Sequence, residues 1–209
     1  MSGSPITMNK VVRTPLVCPL VPALLLASQA ALAQETPRAD KHYIGLLATT
    51  YNHRTIGENT KETAWGTGGT LVVGGHITDL FHAELRAGGG FKDAEVPDSD
   101  LTLSVDYYAS WYIGLHYPIT DYANLYGQFG FSYIRGEGEI SDPANDRNNP
   151  FLDLEGEFPD SGFSVSWIAG LDFEVMDDTF LVFEGGKLFE DTATDVNTFQ
   201  FSGGLRYEF

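Results

Sequence analysis

Cysteine, basic residues and long apolar runs are all scarce in this 209-residue sequence. The only cysteine is Cys18, so the sequence excludes intramolecular disulfides and cysteine-based metal sites. Only 12 lysines and arginines stand against 29 aspartates and glutamates, and the net charge is −17. Because nucleic-acid binding requires a basic surface, we expect no nucleic-acid partner. After residue 33, no apolar run reaches the roughly 18 residues that a transmembrane helix needs.

The start of the chain has the pattern of a secretory signal peptide. Two basic residues precede an apolar run, which leads to the small-x-small sequence of Ala31 and Ala33. We therefore predict that cleavage after Ala33 removes residues 1–33. A membrane anchor is the alternative, but prolines interrupt the apolar run. Met1 and Met8 are both candidate initiators, because a start at Met8 gives a signal peptide of more usual length.

Beyond this segment, apolar and polar residues alternate with a period of two, which is typical of β-strands. The pattern is clearest over residues 101–117, where Leu101 and Trp111 share one face while Ser104 and His116 share the other. A strand of this length exceeds most strands of soluble sheets but suits a tilted crossing of a bilayer. We predict strands at residues 42–52, 64–77, 80–91, 101–117, 122–135, 162–175, 179–189 and 198–209.

The two faces of these strands differ in bulk. Large apolar residues occupy one face, and glycine, serine or charged residues occupy the other. The bulky face does not fit inside an eight-stranded barrel, so it must point outward into lipid. The sequence therefore predicts an all-β fold, an eight-stranded antiparallel up-and-down transmembrane β-barrel of residues 34–209. A soluble ligand-binding barrel is the alternative fold.

The connections between the predicted strands alternate between short and long. Two short ones share the sequence Ile-Thr-Asp, at residues 77–79 and 119–121. The long connections cover residues 53–63, 92–100, 136–160 and 190–197. Since outer-membrane barrels have short periplasmic turns and longer external loops, we expect both chain termini in the periplasm.

These features together resemble the small outer-membrane β-barrel family that includes the OmpA transmembrane domain and OmpX-like proteins. The resemblance rests on the Ile-Thr-Asp turns, the glycine-rich strands, the polar interior and the aromatic last strand. It implies the outer membrane of a Gram-negative cell, with outer-membrane lipids and lipopolysaccharide as partners, and a monomer. It also implies assembly by the barrel-assembly machinery, which would read Leu205, Tyr207 and Phe209 as its signal. Because the family includes adhesins, structural proteins and enzymes, it implies no particular activity.

The predicted inner face is rich in charged and histidine side chains. They are His76, His82, Glu84, Arg86, Asp106, His116, Asp172, Glu174, Glu184, Arg206 and Glu208. Charges in a narrow lumen must be paired to be tolerated. We predict a network in which Arg86 and Arg206 pair with carboxylates, namely Glu84, Asp106, Asp172 and Glu184. Such a network plugs the lumen, and the alternative is a gate or a narrow cation path.

Catalytic, metal-binding and cofactor-binding residues are not expected. Ser110 and His116 lie roughly 20 Å apart on one strand face, too far for a nucleophile and its base. Lipid A deacylases of similar architecture carry a His-x-Ser-Asn-type motif on the lipid-facing side. In residues 76–79 the serine position is Thr78 and the asparagine position is Asp79, and we expect Asp79 to shape the turn instead.

The connection of residues 136–160 is the most distinctive one, because it is strongly acidic. Its carboxylates suit divalent cations, although the spacing is not that of an EF-hand, and a solvated acidic surface is the simpler interpretation. The loop also contains apolar residues at Phe151, Leu152, Leu154 and Phe158. These residues can cap the barrel mouth, extend the strands beyond the membrane or contact a partner.

The leading hypothesis is an integral outer-membrane protein with a structural or surface-interaction role through its loops and a lumen plugged by charged residues. A narrow passive porin-like channel is the first alternative. A lipid A-modifying enzyme is the second.

Overall fold

The computed structural model describes residues 38–56, 61–97, 99–141, 151–159, 162–192 and 196–209. The predicted signal peptide and its cleavage site lie outside these residues. The described strands are β1 (His42–Ile56), β2 (Glu62–His76), β3 (Phe81–Lys92), β4 (Ala94–Glu95), β5 (Leu101–Leu103), β6 (Tyr107–Thr120), β7 (Ala123–Ile140), β8 (Gly156–Phe158), β9 (Phe163–Met176), β10 (Thr179–Glu190) and β11 (Asn197–Glu208).

Eight of these strands form a closed barrel. Their order is β1-β2-β3-β6-β7-β9-β10-β11, every pairing is antiparallel, and β11 pairs with β1 to close the ring. The predicted eight-stranded antiparallel up-and-down barrel is therefore confirmed. In the part of the chain that the structure describes, no helix is long and apolar enough to cross a membrane.

Large apolar side chains cover the outer surface of the barrel. Leu46 is 70% exposed, Leu85 62% and Phe129 60%, while their neighbours along each strand point inward and are buried. This is the reverse of a soluble barrel, and it matches the predicted outward apolar face. The exposed outer row also includes Leu205, Tyr207 and Phe209.

Several inward tyrosines lie directly over glycines of a neighbouring strand. Tyr43 faces Gly74 across β1 and β2, and Tyr126 faces Gly170 across β7 and β9. A methyl group on either glycine would collide with the tyrosine ring. These glycines are therefore needed because they leave room for large side chains inside a narrow barrel.

The predicted strand 101–117 is wrong as a single element. The chain forms β5 and β6 instead, with residues 104–106 between them. Val105 is buried, whereas Asp106 and Tyr107 are both exposed, so the alternation changes phase at this point. The reason is that Leu101 and Leu103 of β5 turn their apolar side chains into a core beyond the barrel rather than into lipid.

The two ends of the barrel differ in their connections. The turn end contains the hairpin turns β2–β3, β6–β7 and β9–β10, together with Arg38 and Phe209. The loop end contains the longer connections. There, β4, β5, residues 136–140 of β7, and β8 form a second small antiparallel sheet.

Threonine rather than aspartate shapes the first turn. Thr78 Oγ1 accepts hydrogen bonds from the backbone N–H groups of Leu80 (3.3 Å) and Phe81 (3.0 Å). Asp79 Oδ1 instead accepts from the N–H groups of Arg38 (3.0 Å) and Ala39 (3.1 Å). The expectation that Asp79 shapes the turn is therefore wrong, because its carboxylate is used to hold the N-terminal segment.

Candidate functional site

Arg86 is the centre of an ion-pair cluster in the middle of the lumen. Its guanidinium donates to Glu84 on the same strand and to Glu184 on β10, and Nη2 also donates to Gln128 Oε1 at 3.2 Å. All three charged side chains are at most 2% exposed. Because alternate side chains of a strand point to the same face, Glu84 and Arg86 both point inward from β3. The register of the strands places Glu184 of β10 across the lumen from them.

Tyrosines complete this cluster. Tyr126 Oη donates to Glu184 Oε2 at 2.6 Å, and Tyr43 Oη donates to Glu84 Oε2 at 3.0 Å. Each carboxylate therefore accepts from both a guanidinium and a phenol. Such full pairing is what makes buried charges tolerable in a medium of low dielectric.

Arg206 is the centre of a second cluster, nearer the turn end. Its Nη2 donates to Asp172 Oδ2 at 2.5 Å and lies 3.4 Å from Glu208 Oε1. Asn124 Nδ2 donates to Asp172 Oδ1 at 2.6 Å, and the Arg206 guanidinium lies 5.0 Å from the ring centre of Tyr43. Between the two arginine clusters, a cavity of about 10 Å³ has room for roughly one water molecule.

Asp106 is the one residue of the predicted network that lies elsewhere. It is exposed at the loop end, where Ser104 Oγ donates to its Oδ1 at 3.1 Å. The change of phase between β5 and β6 moves it off the inner face. Glu174, also predicted inside, is exposed at the turn end. Tyr126 and Gln128 were not predicted as partners of the network, although their even-numbered positions on β7 indicate an inward direction.

Three histidines meet at the turn end of the lumen. The ring centres of His76 and His116 are 5.5 Å apart, and the His82 ring centre lies 6.0 Å from each of them. Among the described residues, no group of three or more His, Cys, Asp or Glu side chains is arranged to hold a metal ion. The Arg206 guanidinium, between Asp172 and Glu208, already supplies a cation there.

Beyond the arginine clusters, the lumen changes from charged to neutral and then to apolar. A layer of hydroxyl groups follows the Arg86 cluster toward the loop end. In it, Thr49 Oγ1 lies 2.6 Å from Thr70 Oγ1, and Ser110 Oγ lies 2.7 Å from Ser132 Oγ. Nearer the loop end, an apolar layer is completely buried. It contains Tyr51, Val105, Tyr108, Ile134, Leu188 and Phe189.

A folded dome covers the loop end. We define the dome as the described residues within 93–105 and 136–159, with Ile56, Ala64 and Val196. Its buried core contains Ile56, Ala64, Ala94, Val96, Leu101, Leu103, Ile140, Phe151, Leu154, Phe158 and Val196. His53, on the inner face of β1, reaches this core with its ring centre 5.8 Å from that of Phe158. Three of the four apolar loop residues, Phe151, Leu154 and Phe158, thus cap the barrel mouth and also pack an extension of the barrel. The fourth, Leu152, is 38% exposed.

Carboxylates cover the outer surface of the dome. Glu137 lies directly opposite Glu157 in the pairing of β7 with β8, and Glu139 is exposed beside them. Arg135 donates to Glu157. The acidic loop predicted to attract divalent cations, residues 136–160, is described only in part, because residues 142–150 lie outside the described residues.

Comparison with known proteins supports the same architecture. The family model described as outer membrane protein beta-barrel domain matches residues 20–209. No curated protein matches the sequence significantly.

Solved structures of bacterial surface proteins share the fold. The attachment invasion locus protein Ail of Yersinia pestis is 15% identical, with a TM-score of 0.55 over 82% of this chain and 99% of Ail. A second Ail structure, in complex with the heparin analogue sucrose octasulfate, is 14% identical with a TM-score of 0.54 over 82% of this chain and 99% of that chain. Neisserial surface protein A is 15% identical, with a TM-score of 0.50 over 80% of this chain and 97% of its own.

Proposed function

The chain belongs to the outer membrane protein β-barrel domain family, and on that premise we propose that it is a non-enzymatic surface protein whose dome is a preformed interaction platform. The observation that carries this proposal is the dome's own apolar core. All four loop-end hairpins contribute to it through strand ends or connections, from Ile56 at the end of β1 to Val196 just before β11. Connections that only join strands do not need a shared core.

The core gives the platform a fixed shape. Leu101 and Leu103 are 1% exposed, and Phe158 is 3% exposed. Full burial of each such side chain contributes roughly 1.5–3 kcal/mol. A surface built on such a core binds a partner without first having to order its loops, which lowers the entropic cost of association.

The charge of the dome selects among partners. The exposed carboxylates of Glu137, Glu139 and Glu157 face outward, and Arg135 neutralises only one of them. Like charges repel, so we propose that this surface rejects sulfated polyanions of the kind that Ail was crystallised with. Its partners are expected to be neutral or cationic.

We also propose that the loop end faces the cell exterior and that both termini are periplasmic. Five of the described basic residues lie at the loop end, namely Arg54, Lys61, Lys92, Arg135 and Lys187, of which Arg135 and Lys187 are already paired with Glu157 and Glu190. Cations at this level favour the phosphate groups of lipopolysaccharide, the expected lipid partner. The exposed row of Leu205, Tyr207 and Phe209 is the proposed signal for the barrel-assembly machinery, and the protein is expected to be a monomer.

The lumen is proposed to be a plug rather than a channel. Two ion-pair clusters, a hydroxyl layer and an apolar layer follow one another along it. The test is single-channel recording in planar bilayers, and we expect no conductance steps. Steady steps that change on substitution of Glu84 would instead establish the narrow cation channel.

Enzymatic modification of lipid A is disfavoured by where the histidines lie. Four of the five, His53, His76, His82 and His116, are buried inside the barrel or dome. His42 is exposed, but it lies at the turn end beside the ring of Phe209, which in the proposed orientation is the side away from the outer leaflet. Mass spectrometry of lipid A from cells with and without the protein is expected to give identical profiles. A mass change in one acyl chain would overturn the non-enzymatic assignment.

The platform is tested by replacing residues 137–160 with a short turn and measuring adhesion. Cells displaying the full protein are expected to adhere to surfaces coated with a basic protein such as lysozyme, and not to heparin. The shortened variant should lose this adhesion while its barrel remains heat-modifiable on gels. Equal adhesion by both forms would refute the proposal.

A further inference from the structure

Arg38 crosses the mouth of the barrel at the turn end. Its Nε donates to Glu208 Oε2 at 3.2 Å, and Nη2 donates to Glu208 Oε1 at 2.6 Å. Its guanidinium also lies 4.5 Å from the ring centre of Phe180. Arg38 precedes β1. Its contacts therefore join the start of the barrel to β10 and β11, beyond the β1–β11 pairing that closes the ring.

The third contact of the guanidinium is chemically different. Arg38 Nη1 donates to Nε2 of His116. A guanidinium has only donors, so Nε2 must offer its lone pair and the imidazole must be neutral with its proton on Nδ1. That Nδ1 lies 4.0 Å from Asp172 Oδ2.

A proton on Nε2 therefore abolishes the contact. It removes the acceptor and places a positive charge directly beside the Arg38 guanidinium. While the latch is closed, the charged imidazole is disfavoured, because His116 is buried close to the guanidiniums of Arg38 and Arg206. Its protonation by acid is therefore coupled to release of Arg38.

The surroundings of His116 do not offset such a charge. His76 on β2 and His82 on β3 add the same sign when they are protonated, and Arg206 on β11 is already positive. The nearest carboxylates are already paired: Asp172 with Arg206, and Glu208 with Arg38 and Arg206. Further inside, Glu84 and Glu184 are paired with Arg86, and on β7 the neutral phenol of Tyr126 stacks on His116 at 6.4 Å.

We propose that Arg38 is a proton-sensitive latch: it closes the turn end at neutral pH, and protonation of His116 releases it. The other described anchors of the segment are few. The backbone N–H groups of Arg38 and Ala39 donate to Asp79, and that of Asp40 donates to the carbonyl of His76 at 3.1 Å. Lys41 itself stays held, because its Nζ lies 2.8 Å from Asp178 Oδ1 and its carbonyl accepts from the N–H group of His76 at 2.9 Å. Release therefore loosens the chain before Lys41, one residue ahead of β1, and opens the lumen at one end only.

The test follows the mobility of the latch segment directly. Residues 34–209 contain no cysteine, so an Ala39→Cys variant takes a single nitroxide label at an exposed position. In phospholipid vesicles at about pH 7.5 we expect an immobilised spectrum, and at about pH 4.5 the loss of the immobilised component. An immobilised spectrum at both pH values would overturn the proposal.

Two variants assign the response to the proposed groups. His116→Gln removes the titrating acceptor, and Arg38→Ala removes the latch, so each is expected to abolish the dependence of mobility on pH. His53→Gln changes a buried histidine at the opposite end and should leave the dependence intact. A response that survives in either of the first two variants, with the barrel still heat-modifiable, would refute the latch.

Discussion

The two ends of this barrel are closed by opposite kinds of chemistry. From the turn end to the middle of the lumen, ion pairs centred on Arg38, Arg206 and Arg86 lie among aromatic and apolar side chains. At the loop end the lumen is filled by apolar side chains, and the dome continues that apolar packing beyond the barrel. One barrel therefore contains both a polar and an apolar seal, built from the same inward alternation of its strands.

The two seals depend on different forces. Ion pairs in a narrow lumen are costly to desolvate and stable only when every charge has its partner. Apolar packing has no such requirement, and its strength follows the area and volume that it buries. The polar seal should therefore respond to single charges and to acid, and the apolar seal to lost volume.

The largest effect is expected where a charge is left unpaired in the polar seal. Arg86→Met leaves Glu84 and Glu184 buried without their cation, which should cost about 4 kcal/mol of unfolding free energy. Urea titration in phospholipid vesicles measures this loss. The matched control is Arg135→Met, because it breaks an exposed ion pair and should leave the unfolding midpoint unchanged. Equal losses in the two variants would contradict the comparison.

A smaller and more local effect is expected in the apolar seal. Phe158→Ala removes a buried ring from the dome core and should destabilise the dome by about 3 kcal/mol. We expect faster cleavage of the dome by proteinase K, with the barrel still intact. Leu152→Ala changes an exposed position in the same segment, so proteinase K should cleave this variant at nearly the native rate. If the two variants are cleaved equally fast, the dome core is not what orders the loops.

The smallest effect concerns the outer surface of the dome. Glu137 and Glu157 are directly opposed across two strands, and like charges in such positions repel. Glu137→Gln should therefore slow cleavage of the dome slightly, corresponding to about 0.5 kcal/mol. This stabilisation of the dome should be smaller in high salt, because screening weakens the repulsion that the substitution removes. A variant cleaved faster than the native protein would show that this glutamate stabilises the dome.

The barrel was predictable because lipid imposes its pattern on every strand. Apolar residues at alternate positions, such as Leu46 and Leu85, identify strands without knowledge of their partners. The pattern failed where lipid no longer imposes it. Leu101 and Leu103 alternate with polar residues just as regularly, but they face the dome core, and only the fold reveals that change of surroundings.

The lumen was only partly predictable, because pairing depends on register. Inward positions such as Glu84, Arg86 and Arg206 follow from alternation alone. Which carboxylate each arginine meets depends on how the strands align around the ring. Asp106 is not part of the network, because the inward–outward alternation changes between β5 and β6. No sequence pattern predicted the role of Arg38, because it precedes the first strand and contacts Glu208 across a sequence separation of 170 residues.

The inward tyrosines over glycines have a consequence for how the barrel is put together. Antiparallel strands that slip by two residues keep their faces and most of their hydrogen bonds, so the alternating pattern alone does not detect the error. A slip of β1 against β2 would place Tyr43 opposite Val72 or His76 instead of Gly74, so that a side chain would stand where the Tyr43 ring now lies over a glycine. The tyrosine–glycine pairs therefore disfavour a two-residue slip between the strands that they join, an error that alternation leaves undetected.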